Sequence, residues 1–109
     1  MPMMQAVKHL VLEYDIGLSN LVSWYQENDP QSPWHTLARA GIHVSNDDEL
    51  NAARDYKRAG DHKEFDYEHR ILLYRKALIH LAHAEQWSEA VSLLEPVSYT
   101  HLRAHETCH

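Results

Sequence analysis

One cysteine, three glycines, four prolines and one phenylalanine in 109 residues leave several architectures without their building material. A single thiol supports neither an intrachain disulfide nor a cysteine-rich zinc site. So little Gly and Pro argues against an all-β chain of many tight turns, and against low-complexity disorder. Uninterrupted apolar runs last only a few residues, far short of the roughly 20 that span a bilayer. No secretory pattern opens the chain, so the expectation is a cytoplasmic protein with no membrane partner. Basic residues are scarce too: ten Lys and Arg face sixteen Asp and Glu, a formal charge of -6. The global positive field on which non-specific nucleic-acid binding draws is therefore missing.

What is present is apolar material, 44% of the chain, at a length that allows one domain with one core. A chain of this size buries about 60–70% of the surface its unfolded form exposes, enough for a fold without metal or disulfide staples.

The C-terminal string Pro96-Val97-Ser98-Tyr99-Thr100-His101-Leu102-Arg103-Ala104-His105-Glu106-Thr107 resembles the translation of a transposase-type sequencing-library adapter. The resemblance covers twelve consecutive residues. It implies that residues 96–109 are a non-native tail, that residues 1–95 form the single domain, and that the native frame is truncated near Leu94. Without the tail the chain has no cysteine and seven histidines, and it keeps nine basic and fifteen acidic residues, still -6.

Apolar residues of the first quarter (Met4, Val7, Val11, Tyr14, Leu18, Leu21 and Tyr25) recur at alternating spacings of three and four, the seam of a helix burying one narrow face. Gly17 falls in phase with the seam, which favours one long helix from Met3 to Glu27 over two helices split at residues 15–17. Asn28-Asp29-Pro30 ends it, because the residue before Pro is pushed out of helical geometry. Ser32 reads as an N-cap with Pro33 at the first helical position, opening a short helix to Ala40 that stops at Gly41 with Ile42 just beyond. Ser45 or Asn46 caps a helix Asp47–Ala59, with Asp47, Asp48 and Glu49 in the turn that favours acids, and Gly60 closes it. Asp61 with Glu64 reads as a capping box for a second long helix, from His62 to Glu85. A last short helix spans Glu89–Leu94. The fold class is all-α: two long amphipathic helices and three short ones in a helical-hairpin or bundle arrangement.

Ala52-Ala53-Arg54-Asp55-Tyr56-Lys57-Arg58-Ala59-Gly60-Asp61, followed by Tyr74-Arg75-Lys76-Ala77-Leu78, resembles parts of a tetratricopeptide repeat. Leu81-Ala82-His83-Ala84-Glu85-Gln86-Trp87-Ser88-Glu89-Ala90-Val91-Ser92-Leu93-Leu94 resembles a second hairpin of that type, with Trp87-Ser88-Glu89-Ala90 opening its second helix. The interval from Gly60 to Tyr74 is several residues too long for the repeat, and Glu49 and Ala52 stand where it has Trp and Leu. The resemblance covers less than half of the chain. It implies a scaffold that takes a peptide or helix of a partner in a concave groove; an ordinary antiparallel bundle is the competing reading.

Chemistry has little to work with. No Gly-rich phosphate loop and no nucleophile-elbow serine occurs, so catalytic residues are expected to be none. His62, Asp66 and His69 fall at i, i+4 and i+7, and His80 and His83 form a second pair. Neither set reaches the three or four ligands of a zinc site with support from cysteine, so solvated histidines, no metal and no cofactor are expected. Asp47-Asp48-Glu49 is read as a first helical turn rather than an acidic metal patch. Among the aromatics, Trp24, Tyr25, Trp34, Tyr74 and Trp87 are the candidate partner-binding residues. Trp34 and Trp87 also suit buried anchors, while Trp24 lies beside the seam and is expected to be partly exposed.

Two functions follow. The first is a non-catalytic protein–protein interaction module, acting on a protein or peptide partner through helical surfaces or by self-association. The alternative is a small DNA-binding regulator, because residues 15–24 faintly resemble a helix-turn-helix and Arg54, Lys57, Arg58 and Lys63 form a basic cluster. A recognition helix carrying Ser19, Asn20 and Ser23 but no cation disfavours the nucleic-acid partner. A straight helix through Gly17 favours the first reading, a sharp turn there the second.

Overall fold

The computed structural model describes residues 2–14 and 16–94. Among them are six helices and no strand: α1 (Pro2–Glu13), α2 (Ser19–Asn28), α3 (Pro33–Ser45), α4 (Glu49–Gly60), α5 (Tyr67–His83) and α6 (87–94). The all-α expectation holds, but the division into two long and three short helices does not. The adapter-like tail lies outside the described residues. No helix among the described residues is long and apolar enough to cross a membrane.

The helix expected over Met3–Glu27 is broken, with residues 16–18 in non-helical backbone between α1 and α2. The cause is a tertiary contact. The main chain at Ile16-Gly17 lies directly on α3, so that a Cβ on Gly17 would stand 2.3 Å from the Ile42 nitrogen and 2.5 Å from the Gly41 carbonyl carbon. Reciprocally, a Cβ on Gly41 would stand 2.5 Å from the Ile16 carbonyl carbon. Helix axes normally pack 8–10 Å apart because side chains intervene; two glycines let these backbones touch instead. The break also splits the predicted seam. Val11 and Tyr25 are buried, whereas Tyr14 is 60% and Leu18 37% exposed.

Gly41 therefore does not end α3, which runs on to Ser45. The stop comes at Asp47, whose φ of 56° is the left-handed conformation, with the Asp48 amide donating to the His43 carbonyl at 2.8 Å. The end of α5 repeats this form with Glu85 at φ 56° and the Gln86 amide on the Leu81 carbonyl at 2.9 Å. Ser32 caps α3 as expected, accepting from the Trp34 amide at 3.1 Å. The other caps move. Asp48 caps α4, accepting from the Asn51 amide, and Asp66, not Asp61, caps α5 through the His69 amide at 3.0 Å.

The chain winds back and forth: α3 packs on both α1 and α2, α4 on α3, and α5 on α4. In the centre α4 presents Ala52, Ala53, Tyr56 and Ala59, each at most 1% exposed, to Leu37 and Ala40 of α3 and to Leu73, Ala77 and Leu81 of α5. Small residues on this helix let its neighbours approach from two sides, and Tyr56 fills the space between them. Arg39 and Asp55 join α3 to α4 in a two-pronged pair at 3.0 Å on each prong, with the Asp55 side chain only 7% exposed.

Lys76 on α5 is buried, and its Nζ donates to the Leu12 carbonyl at 2.6 Å. That carbonyl is among the last four of α1, which have no partner within the helix. One side chain thus closes the end of α1 from the far side of the molecule, and its Nζ also lies 5.4 Å from the Tyr56 ring centroid. Lys76→Met keeps the apolar stem and removes the donor. The expected result is a loss of about 1–3 kcal/mol, with amide exchange accelerating in α1 before it does in α4.

Two phenols give the stability an alkaline limit. Burial, then the Glu64 and Asp29 carboxylates, push Tyr25 above its ordinary 10.0. Burial and the hydrogen bond it donates to Asp61 push Tyr74 up as well. The unfolded chain releases these protons first, so stability is full below about pH 10 and declines as pH rises toward the folded-state values. The urea midpoint is expected to fall across that range, and more shallowly in Tyr74→Phe.

Candidate functional site

Among the described residues, three surfaces combine shape with chemistry. The first is an open apolar groove of about 450 Å³ along the start of α2, with Val7 of α1 on its wall, lined by Val7, Leu18, Ser19, Asn20, Leu21 and Trp24. Five of its six lining residues fall between Leu18 and Trp24, directly after the turn at Ile16-Gly17, and Val7 alone comes from α1. Trp24 is 47% exposed and meets Tyr25 edge to face, with ring centroids 5.0 Å apart. Leu10 on α1 and Tyr14 just after it are also exposed.

The second is a cleft of about 390 Å³ between α3 and α4, lined by His35, Thr36, Arg39, Arg58 and His62 among others, with no carboxylate among its lining residues. Arg39 is committed to Asp55, and the His62 Nδ1 accepts from the Glu64 amide at 3.1 Å.

The third is a cluster where the start of α4 meets the end of α5. Glu49, the first residue of α4, turns its Oε2 to the Nδ1 of His80 in a short hydrogen-bonded contact, and the Nδ1 of His83 lies 3.7 Å from the same oxygen. The three ligand atoms lie within 4.8 Å of one another. His80 is buried and stacked on Tyr56, ring centroids 5.6 Å apart at 14°, while the His83 side chain is 62% exposed.

The five aromatic candidates do not share a site. Trp24 alone lines the groove. Tyr25 and Tyr74 are buried core residues, out of reach of a partner. Trp34 is half-buried, donating from Nε1 to Glu64 at 2.6 Å, meeting Phe65 edge to face and lying under the Lys8 ammonium at 5.1 Å. Trp87 is not the buried anchor its junction position suggested. It is 61% exposed, and with Val91 and Leu94 it forms a stripe at i, i+4 and i+7 along the outside of α6.

Two histidine expectations change as well. His62 and Asp66 precede α5, so the set His62, Asp66 and His69 shares no helix face. Only Asp66 and His69 meet, with Oδ1 and Nδ1 at 3.0 Å. His80, expected in solvent, is buried because Tyr56 covers one side of it and Glu49 engages its edge. Glu49 was missed as its partner: the two are 31 residues apart, and periodicity within one helix carries no information about the next. Two of the four residues of the basic cluster are paired, Arg54 with Glu89 at 3.0 Å and Lys57 with Asp61 at 2.9 Å.

Compared with known protein families, curated proteins and solved structures, the chain finds no match.

Proposed function

We propose that the protein is a non-catalytic interaction module whose α1–α2 groove receives an amphipathic helix with basic flanks from a partner protein. The carrying observation is the groove itself: Val7 and Leu21 are half-buried within it, and Leu18 and Trp24 stand exposed beside them. Helix-in-groove recognition uses such a surface, with apolar anchors at one-turn spacing. The charge of -6 favours basic flanks by long-range attraction. The resemblance of residues 52–61 and 74–78 to parts of a tetratricopeptide repeat also supports a scaffold role.

The test uses the full chain and a synthetic helix bearing leucines at i, i+3, i+4 and i+7 with terminal lysines, titrated by calorimetry. Binding in the micromolar range, weakened about tenfold or more by Leu18→Asp, is the expected outcome. Equal binding by the two proteins, or none by either, overturns the reading. Sedimentation equilibrium identifies the remaining case, in which a second copy fills the groove.

The turn at residues 16–18 favours a second reading, DNA binding through α2, since a break there was the feature expected of it. The Gly17–Gly41 contact gives that turn a packing cause of its own, and α2 carries no Lys or Arg. Salt-dependent duplex binding that is lost in Asn20→Ala would establish the second reading in place of the first.

A further inference from the structure

We propose that Glu49, His80 and His83 form a site for one borderline divalent transition-metal ion of the zinc class, which clamps the beginning of α4 to the end of α5. Two imidazole Nδ1 atoms converge on a single carboxylate oxygen, one of them in a short hydrogen-bonded contact and the other at 3.7 Å. Each imidazole carries an N–H of its own, and that of His80 satisfies its contact with Glu49, but the His83 Nδ1 at 3.7 Å lies beyond hydrogen-bond distance of the oxygen it faces. A metal ion engages all three at once.

The donor set is two nitrogens and one oxygen, which suits zinc and its neighbours rather than magnesium or calcium. The set is also held in place on one side and open on the other. Tyr56 lies flat against His80 and fixes the plane of its ring. The exposed His83 leaves the fourth coordination position to water. Lys76, one helical turn before His80, is engaged with the Leu12 carbonyl and the Tyr56 ring. The helix dipoles fit the arrangement: Glu49 answers the positive start of α4, and the cation meets the negative end of α5. Its effect is structural, since bringing three ligands from two helices together stabilises the folded form by mass action.

The full chain is titrated with ZnCl₂ by calorimetry and with CoCl₂ by visible absorption, alongside His83→Ala, Glu49→Gln and a tail control, His105→Ala/Cys108→Ser. His83 is exposed, so its truncation leaves packing intact. The expected result is one equivalent bound, with cobalt d–d bands and no thiolate-to-cobalt charge-transfer band. Losing one of the three ligands should weaken binding by more than the roughly 10–100-fold that loss of an outer-shell partner costs. Zinc should raise the Tm of the wild-type chain and of the tail control but not that of His83→Ala. No binding, binding unchanged in His83→Ala, or binding abolished only in the tail control each overturns the proposal.

Discussion

Gly41→Ala is expected to cost about 4 kcal/mol or more, a large share of the roughly 5–15 kcal/mol that holds a domain folded. The direction is what makes the measurement decisive. In an ordinary helix interior, replacing Gly by Ala gains about 1 kcal/mol, because Ala loses less backbone freedom on folding. Gly41 is inside α3, fully helical and buried, so helix propensity alone predicts stabilisation. Against it stands a methyl group placed 2.5 Å from the Ile16 carbonyl carbon and 2.6 Å from the Gly17 nitrogen. Those atoms are main chain and cannot swing aside as the end of a flexible side chain would. Relief requires residues 16–18 to lift off α3, and with them the turn that joins α1 to α2. Gly17→Ala meets the same obstacle from the other side, and combining the two substitutions rescues nothing. Urea denaturation of either variant checks the result, and a raised midpoint would show that the two backbones do not touch.

The second large effect lies in the Arg39–Asp55 pair. Arg39→Met keeps most of the stem and removes both donors from a carboxylate whose side chain is only 7% exposed. What remains is the His43 Nε2 at 3.5 Å from the Asp55 Oδ2. Stranding a buried charge costs about 3–5 kcal/mol. The reverse substitution, Asp55→Leu, is expected to cost less, because Arg39 is 37% exposed and can turn its guanidinium to water. Arg39→Met/Asp55→Leu together should recover most of the single-variant loss, since neither charge is then left unpaired. The double-mutant cycle, measured by urea unfolding, tests this order. Equal losses in the two single variants would place Asp55 in better contact with solvent than its burial implies.

Legibility differs along the chain for physical reasons. The caps and stops that depend on neighbouring residues were readable: Ser32 before Pro33, the end of α2 before Pro30, and the close of α4 at Gly60 all stand in the structure. The stop of α5 fell within two residues of the expected Glu85, whereas that of α3 was not readable, because it uses a left-handed acidic residue, Asp47, where glycine is the usual signal. The start of α5 was placed five residues early because Asp61 with Glu64 has the spacing of a capping box. Asp61 is instead held by Lys57 and the Tyr74 hydroxyl, and Asp66 takes the helix end. At the candidate sites, exposure at Trp24 was legible from its position beside the seam. The meeting of Glu49 with His80 and His83 was not, for the reason that separates any two helices: spacing along one says nothing about which face of another it will meet.

By itself, the run of residues determined that this chain is helical and carries a formal charge of -6, because the one follows from local spacing and the other from composition. Tertiary packing decided that Gly17 is a break and Gly41 is not. Both glycines read locally as breakers or tolerated passengers, and only the contact between them settles their roles. It likewise decided which aromatics face water and which histidines face a carboxylate. Each of those outcomes belongs to a pair of segments brought together by burial, and no single segment encodes it.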